Sequence, residues 1–270
     1  MLTLAFAMTL GVVDTGIFSD LDDRVTLALP KIADPSATVD ERHRVIVLWD
    51  GARPVKVYPS PLRPADAAEL APILGDRPMR RAAARPDADG DGIPDALDIL
   101  IGAKKVALNG ASYGGDYIRL DFPGGDVPRD MGVCTDVIVR ALRNAGLDLQ
   151  RAVYDDIGRA PRAYPMVKRR DPNIDQRRVK TLVRWFARHW EVHRTDPKDA
   201  GDPFLPGDVV FFDTFPSKPG PDHVGIVSDR VGPSGLPLVI NNWTDGFKES
   251  EMDLLLLVPV TDRYRVPASR

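Results

Sequence analysis

The 270-residue chain contains a single cysteine, Cys134. No intramolecular disulfide can form, and a zinc site built from several cysteines is excluded. Histidine is scarce too. With four of them in all, an imidazole base must be His43, His189, His193 or His223. The chain also lacks an excess of charge of one sign, since 36 Lys+Arg face 39 Asp+Glu for a formal net charge of -3. That removes the electrostatic case for a nucleic-acid partner. The basic runs Lys168-Arg169-Arg170 and Arg177-Arg178 have acidic neighbours and read as solvated surface. The apolar stretch from Met1 to Val13 is too short to span a bilayer as a helix. It also lacks the basic start and the small-residue cleavage site of a secretory signal. Residues 1–20 are read as a signal remnant or extension, and membrane contact is expected only there.

What is present is ordinary globular composition, with 43% hydrophobic and 28% charged residues, enough for one catalytic domain and a smaller appendage. No internal repeat or low-complexity tract interrupts it. Residues 21–80 read as a small β-rich module. Arg24 to Pro30 alternates like a strand, His43 to Trp49 is a β-branched run, Asp50-Gly51 is a hairpin turn signal, and Val55 to Pro59 returns. Residues 61–86 suggest one short helix and a linker. From Ala96 to Ala111 the apolar spacing becomes helical. It does so again from Val133 to Ala145, where Gly146 marks a stop, and from Ile174 to Trp190. Beyond Gly207 the pattern predicts strands at 208–212, 223–228, 237–242 and 254–260. Helices followed by a meander of strands make an α+β class, with the main domain at 96–268.

Cys134 falls in Met131-Gly132-Val133-Cys134-Thr135-Asp136, at the first turn of a predicted helix. Unsatisfied N–H groups and the helix dipole there are expected to lower the thiol pKa and to bind a tetrahedral oxyanion. Among the histidines, His43 reads as a surface residue, and His189 and His193 sit at a helix end where a cationic ring is favourable. His223 differs, because it opens the core strand Val224-Gly225-Ile226-Val227 and can face a cleft while being rigidly held. A third group should orient that imidazole. The next strand ends in Asn241-Asn242, with Asn241 the choice and Asn242 the reserve.

These residues resemble the NlpC-type branch of papain-like cysteine peptidases, enzymes of bacterial cell-wall turnover. The resemblance is carried by Cys134 at a helix start, by Pro206-Gly207-Asp208 leading into a strand, and by Asp222-His223-Val224-Gly225. A closer resemblance is to an uncharacterised bacterial family related to that branch. It is carried by Gly125-Asp126-Val127-Pro128, Gly132-Val133-Cys134-Thr135-Asp136 and Asn173-Ile174-Asp175-Gln176-Arg177-Arg178. The resemblance implies a papain-like fold, with the nucleophile helix packed on an antiparallel sheet. By wider analogy it implies a peptidoglycan or peptide substrate. That family often has histidine where Asn241 and Gln176 stand. Asp126, Asp136 and Asp175 also match hallmarks and read as loop and helix-start hydrogen-bonding residues.

A second constellation lies at Asp87-Ala88-Asp89-Gly90-Asp91-Gly92-Ile93-Pro94-Asp95-Ala96-Leu97-Asp98. Carboxylates of Asp87, Asp89, Asp91, Asp95 and Asp98 occupy the ligand positions of a calcium loop, and Ile93 offers its carbonyl. The terminal Asp98 has less reach than the usual glutamate. The loop resembles those of dockerin-type and thrombospondin-type repeats, which are extracellular. A structural Ca²⁺ pinning the N-terminal module to the main domain is the expectation, with no cofactor for catalysis. Together these readings predict a monomeric periplasmic or extracellular cysteine hydrolase acting on peptidoglycan. The alternatives are an acyltransferase or thioesterase on lipids, and a non-enzymatic wall-binding module.

Overall fold

The computed structural model describes Phe18 and residues 21–22, 27–83, 85–215 and 217–268. Apart from Phe18, the segment read as a signal remnant lies outside these residues, as does the start of the strand predicted from Arg24. The part of that strand that is described, Leu27 to Pro30, is irregular. Its Ala28 N–H is taken by the Asp229 carboxylate, so it has no sheet partner there.

Three strands follow: β1 (Pro35–Asp40), β2 (Val45–Asp50) and β3 (Arg53–Pro59). The helix α1 (Pro64–Leu74) and the two-residue β4 (Arg80–Arg81) complete a four-stranded sheet of order β3-β2-β1-β4. The sequence of β1, Pro-Ser-Ala-Thr-Val-Asp, carries little apolar signal of a strand. Its antiparallel register along the whole length of β2 makes it a strand. One face of this sheet is covered by Leu70 and Leu74 of α1, against Ala37, Ile46, Leu48 and Tyr58. The other face, with Val47, Trp49 and Val57, packs on Ile93, Leu97, Leu100 and Ile101. The last three belong to α2 (Asp95–Asn109), so the N-terminal sheet shares its core with the main domain.

After α2 come the short strands β5 (Ser112–Tyr113) and β6 (Met131–Gly132), paired in parallel, and then α3 (Cys134–Asn144). Helix α4 (Leu149–Arg159) adds to the expected elements, with Leu149, Val153 and Ile157 recurring at helical spacing. Its N-cap Asp148 accepts the Arg151 N–H at 3.0 Å. The helix predicted over 174–190 is a 3-10 turn at Asp175–Arg177 followed by α5 (Val179–His189). Six strands finish the chain: β7 (Glu191–His193), β8 (Val209–Phe212), β9 (His223–Val231), β10 (Pro237–Asn241), β11 (Ser250–Met252) and β12 (Val260–Arg265). They form an antiparallel sheet of order β11-β10-β9-β8-β12-β7. The class is therefore mixed α+β.

Helix α3 lies on this sheet. Its Val137, Ile138, Ala141 and Leu142 are fully buried with Phe211, Val224, Ile226 and Ile240, each contributing about 1.5–3 kcal/mol for the larger side chains. The opposite face is closed by Leu254 and Leu255 on Val210, Phe212, Val227 and Val239. This overturns the strand predicted at 254–260. The unbroken leucine run has no alternation, and the chain crosses the outer face as a turn, leaving Leu256 and Leu257 exposed. Strand pairing starts only at Val260. Among the described residues no helix is long and apolar enough to cross a membrane.

Candidate active site

Three elements bring the predicted residues to one end of the large sheet. Cys134 is the first residue of α3, and α3 packs on β9. His223 opens β9 opposite Phe212 of β8, and Asn241 closes β10 beside it. Gly225 permits that last approach. A Cβ there would lie 2.5 Å from Val239 Cγ1 and 3.2 Å from Asn241 Cβ, so any side chain would push β10 away.

The imidazole Nε2 lies 3.2 Å from Asn241 Oδ1, in a pair that is fully buried on the asparagine side. The amide orientation follows from its other end, where Nδ2 donates to the Val239 carbonyl at 3.1 Å. Oδ1 is therefore the atom facing the ring, Nε2 must carry the hydrogen, and Nδ1 is left with its lone pair. Trp243 stands edge-on to the ring at 4.7 Å, with Phe212 at 6.3 Å. These aromatic walls keep water from the His223–Asn241 hydrogen bond. Burial drives the His223 pKa down to about 4, against the Asn241 hydrogen bond and the Asp222 carboxylate, which raise it. The ring is neutral at pH 7, as a base must be.

The thiol departs from expectation. Burial pushes Cys134 up to about 12, and the nearby Asp136 and Asp222 carboxylates push the same way. The Val224 and Thr135 N–H groups pull it down, yet the helix start does not win. Desolvation of a residue that is 6% exposed outweighs the partial charge of the helix end. At rest the thiol and the imidazole are both neutral.

The segment before the nucleophile is held on both sides. Val133 N–H donates to Asp136 Oδ2 at 2.7 Å, and Arg177 grips Asp136 through Nε at 2.8 Å and Nη2 at 3.0 Å. Arg177 is buried, which corrects its reading as solvated surface, since a partner 41 positions away in sequence neutralises it. Asn242, the reserve for orienting His223, does something else. Its Nδ2 donates to the Gly132 carbonyl at 3.0 Å and to Ala111 O at 3.4 Å.

The other hallmark aspartates also hold loops. Asp126 binds Arg140 and Arg143, and Asp175 accepts the Asp171 N–H. Of the remaining histidines, His43 bonds Asp40, His193 bonds Asp202 and His189 lies 3.2 Å from Asp156.

Two residues near the candidate site lie outside the sequence reading. Trp243 follows the asparagines, and its aromatic type beside a strand-end amide was the available signal. Tyr113 pairs with Gly132 across β5 and β6. Its pKa is raised by burial first, then by the charges of Cys134 and Asp245. Among the described residues its hydroxyl makes no hydrogen bond. Nothing local marks it, because β5 and β6 meet only in the fold.

The acidic loop lies between the two sheets. Gly92, at φ 92°, has His43 and Val45 against it, and Gly146, at φ 68° just beyond α3, has Asp89 against it. Carboxylate oxygens of Asp87, Asp89 and Asp91 lie within 4.8 Å of one another, a donor set that fits a hard cation. Asp95 Oδ1 accepts the Ala88 N–H, and Asp98 Oδ1 accepts from Asn144. Three of the five predicted carboxylates thus converge, while Asp95 and Asp98 tie the loop to its own start and to α3. Ile93 is buried, and its N–H donates to Asp91 Oδ1 at 2.7 Å. Burial and the neighbouring Asp87 raise the Asp89 pKa to about 6.

Residues 101–266 match the family described as a domain of unknown function (DUF1287), and the chain belongs to that family. It is 40% identical over 159 residues to the Escherichia coli (strain K12) protein named Uncharacterized protein YijF, with 58% of this chain and 75% of that one covered. No solved structure matches. The family span takes in Cys134, His223 and Asn241 and leaves out the acidic loop and the N-terminal sheet.

Proposed function

We propose that this member of the family is a papain-like cysteine hydrolase of the NlpC-related kind, cutting peptide or amide bonds of bacterial peptidoglycan outside the cytoplasm. The observation that carries this reading is the buried His223–Asn241 hydrogen bond, which leaves Nδ1 as a neutral base on the strand against which the Cys134 helix packs.

Because the thiol rests protonated, attack and proton transfer are coupled. Cys134 Sγ adds to the substrate carbonyl carbon while its proton passes to His223 Nδ1. Asn241 steadies the imidazolium that forms. The Cys134 N–H, without an intrahelical acceptor at the first helical position, and the Tyr113 hydroxyl are the donors for the oxyanion. Collapse breaks the carbon–nitrogen bond, and the imidazolium gives its proton to the leaving amine. Water then hydrolyses the thioester with His223 as base.

Ca²⁺ is proposed for the Asp87–Asp91 cluster as a structural ion, where it would neutralise the three carboxylates. The loop touches both the N-terminal sheet and the end of α3, so a bound ion would clamp the two together. Periplasmic or extracellular placement agrees with a modest calcium site of this composition.

The test is digestion of purified sacculi by wild type and Cys134→Ala, with mass analysis of released fragments. Muropeptides from wild type alone support the proposal. Identical fragment patterns would sink it, and acyl transfer to lipid without muropeptide release would favour a lipid-directed enzyme instead.

A further inference from the structure

The two adjacent asparagines at the end of β10 have separate partners. Asn241 holds the base, whereas Asn242 reaches the chain two residues before the nucleophile. The Gly132 carbonyl accepts from Asn242 Nδ2 at 3.0 Å and from Gly114 N–H at 2.9 Å. The nitrogen of the same peptide, Val133 N, donates to Asp136 Oδ2 at 2.7 Å. That peptide plane is gripped at both ends. Val133, extended at φ -121° and ψ 178°, passes its orientation directly to the Cys134 N–H.

Asn242 is a poor choice for stability alone. It is fully buried, and its Oδ1 has no hydrogen-bond partner among the described residues, which is energetically costly. Neither carbonyl it serves depends on it, since Gly132 O keeps Gly114 N–H and Ala111 O keeps Glu249 N–H at 2.9 Å. What Asn242 adds is a second fixed point for the Gly132–Val133 peptide, taken from the strand end that also holds the base.

We infer that Asn242 is a positioning residue that aims the Cys134 N–H at the oxyanion, and this rests on the hydrolase reading above. Through it, one strand end sets the base and the oxyanion donor in a common frame.

Two thiol reagents separate this role from general damage. p-Nitrophenyl acetate acylates the thiol by addition to its carbonyl. The sulfur–carbon bond forms, charge collects on the carbonyl oxygen, the thiol proton goes to His223, and p-nitrophenolate leaves. Iodoacetamide alkylates the same sulfur by direct displacement of iodide, with no oxyanion. Asn242→Ala is expected to slow acylation by about 10²-fold, the scale of a small misplacement of a catalytic group, and to leave alkylation at the wild-type rate. Asn242→Asp, of the same shape but without the amide donor when ionised, should repeat that selectivity. Asn241→Ala should slow both reactions, because it disturbs the base.

Equal loss in both reactions, or none in either, for Asn242→Ala would overturn the inference. Wild-type protein inert to both reagents would overturn the nucleophile assignment and the inference with it. Selective loss of acylation in a protein that releases no muropeptides from sacculi would remove the substrate reading and leave the inference standing. Sacculus digestion with unselective Asn242 variants would do the reverse.

Discussion

The cysteine–histidine end of the large sheet and the acidic loop between the sheets both crowd ionisable groups into a small space, and they resolve the crowding in opposite ways. At the sheet end, burial wins over every local charge. Cys134 is pushed up to about 12 and His223 down to about 4, so both are neutral at pH 7 and a hydrogen bond to Asn241 orients the ring. In the loop, three carboxylates converge, and even Asp89, raised to about 6, is mostly ionised at pH 7. A neutral buried pair can wait for substrate, because it needs nothing to offset its charge. The carboxylates of the loop keep their charge instead, and their converging oxygens fit a hard cation.

The sharpest way to break this contrast is at the nucleophile. Cys134→Ala is expected to abolish sacculus digestion, and His223→Ala to cost about 10²–10⁴-fold, the range of general base catalysis; both are read as initial rates of muropeptide release. Next comes Gly225→Ala. The added Cβ meets Val239 Cγ1 at 2.5 Å, and parting β9 from β10 carries Asn241 away from the ring. A fall of about 10²-fold in rate and a loss of about 1–3 kcal/mol in stability are expected, with hydrolysis and thermal unfolding measured on the same preparation.

On the loop side, Ca²⁺ at a hundredfold excess over its Kd should stabilise the fold by about 2.7 kcal/mol, seen as a rise in Tm. Asp89→Asn should raise the metal-free Tm slightly by removing a like charge and should abolish the calcium-dependent rise. A calcium response that survives this substitution would return the loop to the status of a solvated linker.

Stability should also depend on pH through the base. His223 is depressed in the fold from an ordinary 6.5 to about 4, so between those values the unfolded chain binds the extra proton. Stability linked to His223 is therefore intact above pH 6.5 and is lost as pH falls toward 4. Chemical denaturation at stepped pH should show that slope in wild type, and His223→Gln should flatten it.

Much of this molecule could be read without coordinates. Helices α2, α3 and α5 are legible because their apolar spacing serves one buried face, and so is the placement of Cys134, His223 and Asn241 at element boundaries. What escaped was settled by distant partners. β1 is a strand because β2 pairs with it, and the leucines after β11 turn because the outer face of the sheet needed covering. Arg177 is buried because Asp136 meets it. The thiol pKa follows the same rule, since a helix start can be seen in sequence and the depth of burial above it cannot.

By itself, then, the sequence determined which residue types stand at element boundaries: one cysteine, one strand-opening histidine, a pair of strand-end asparagines and an aspartate-rich loop. Tertiary structure decided their division of labour. Two neighbouring asparagines point to different partners because Asn241 is the last residue of β10 and Asn242 the first beyond it, where the chain leaves the strand. Only packing shows that one holds the imidazole and the other holds the peptide leading into the nucleophile.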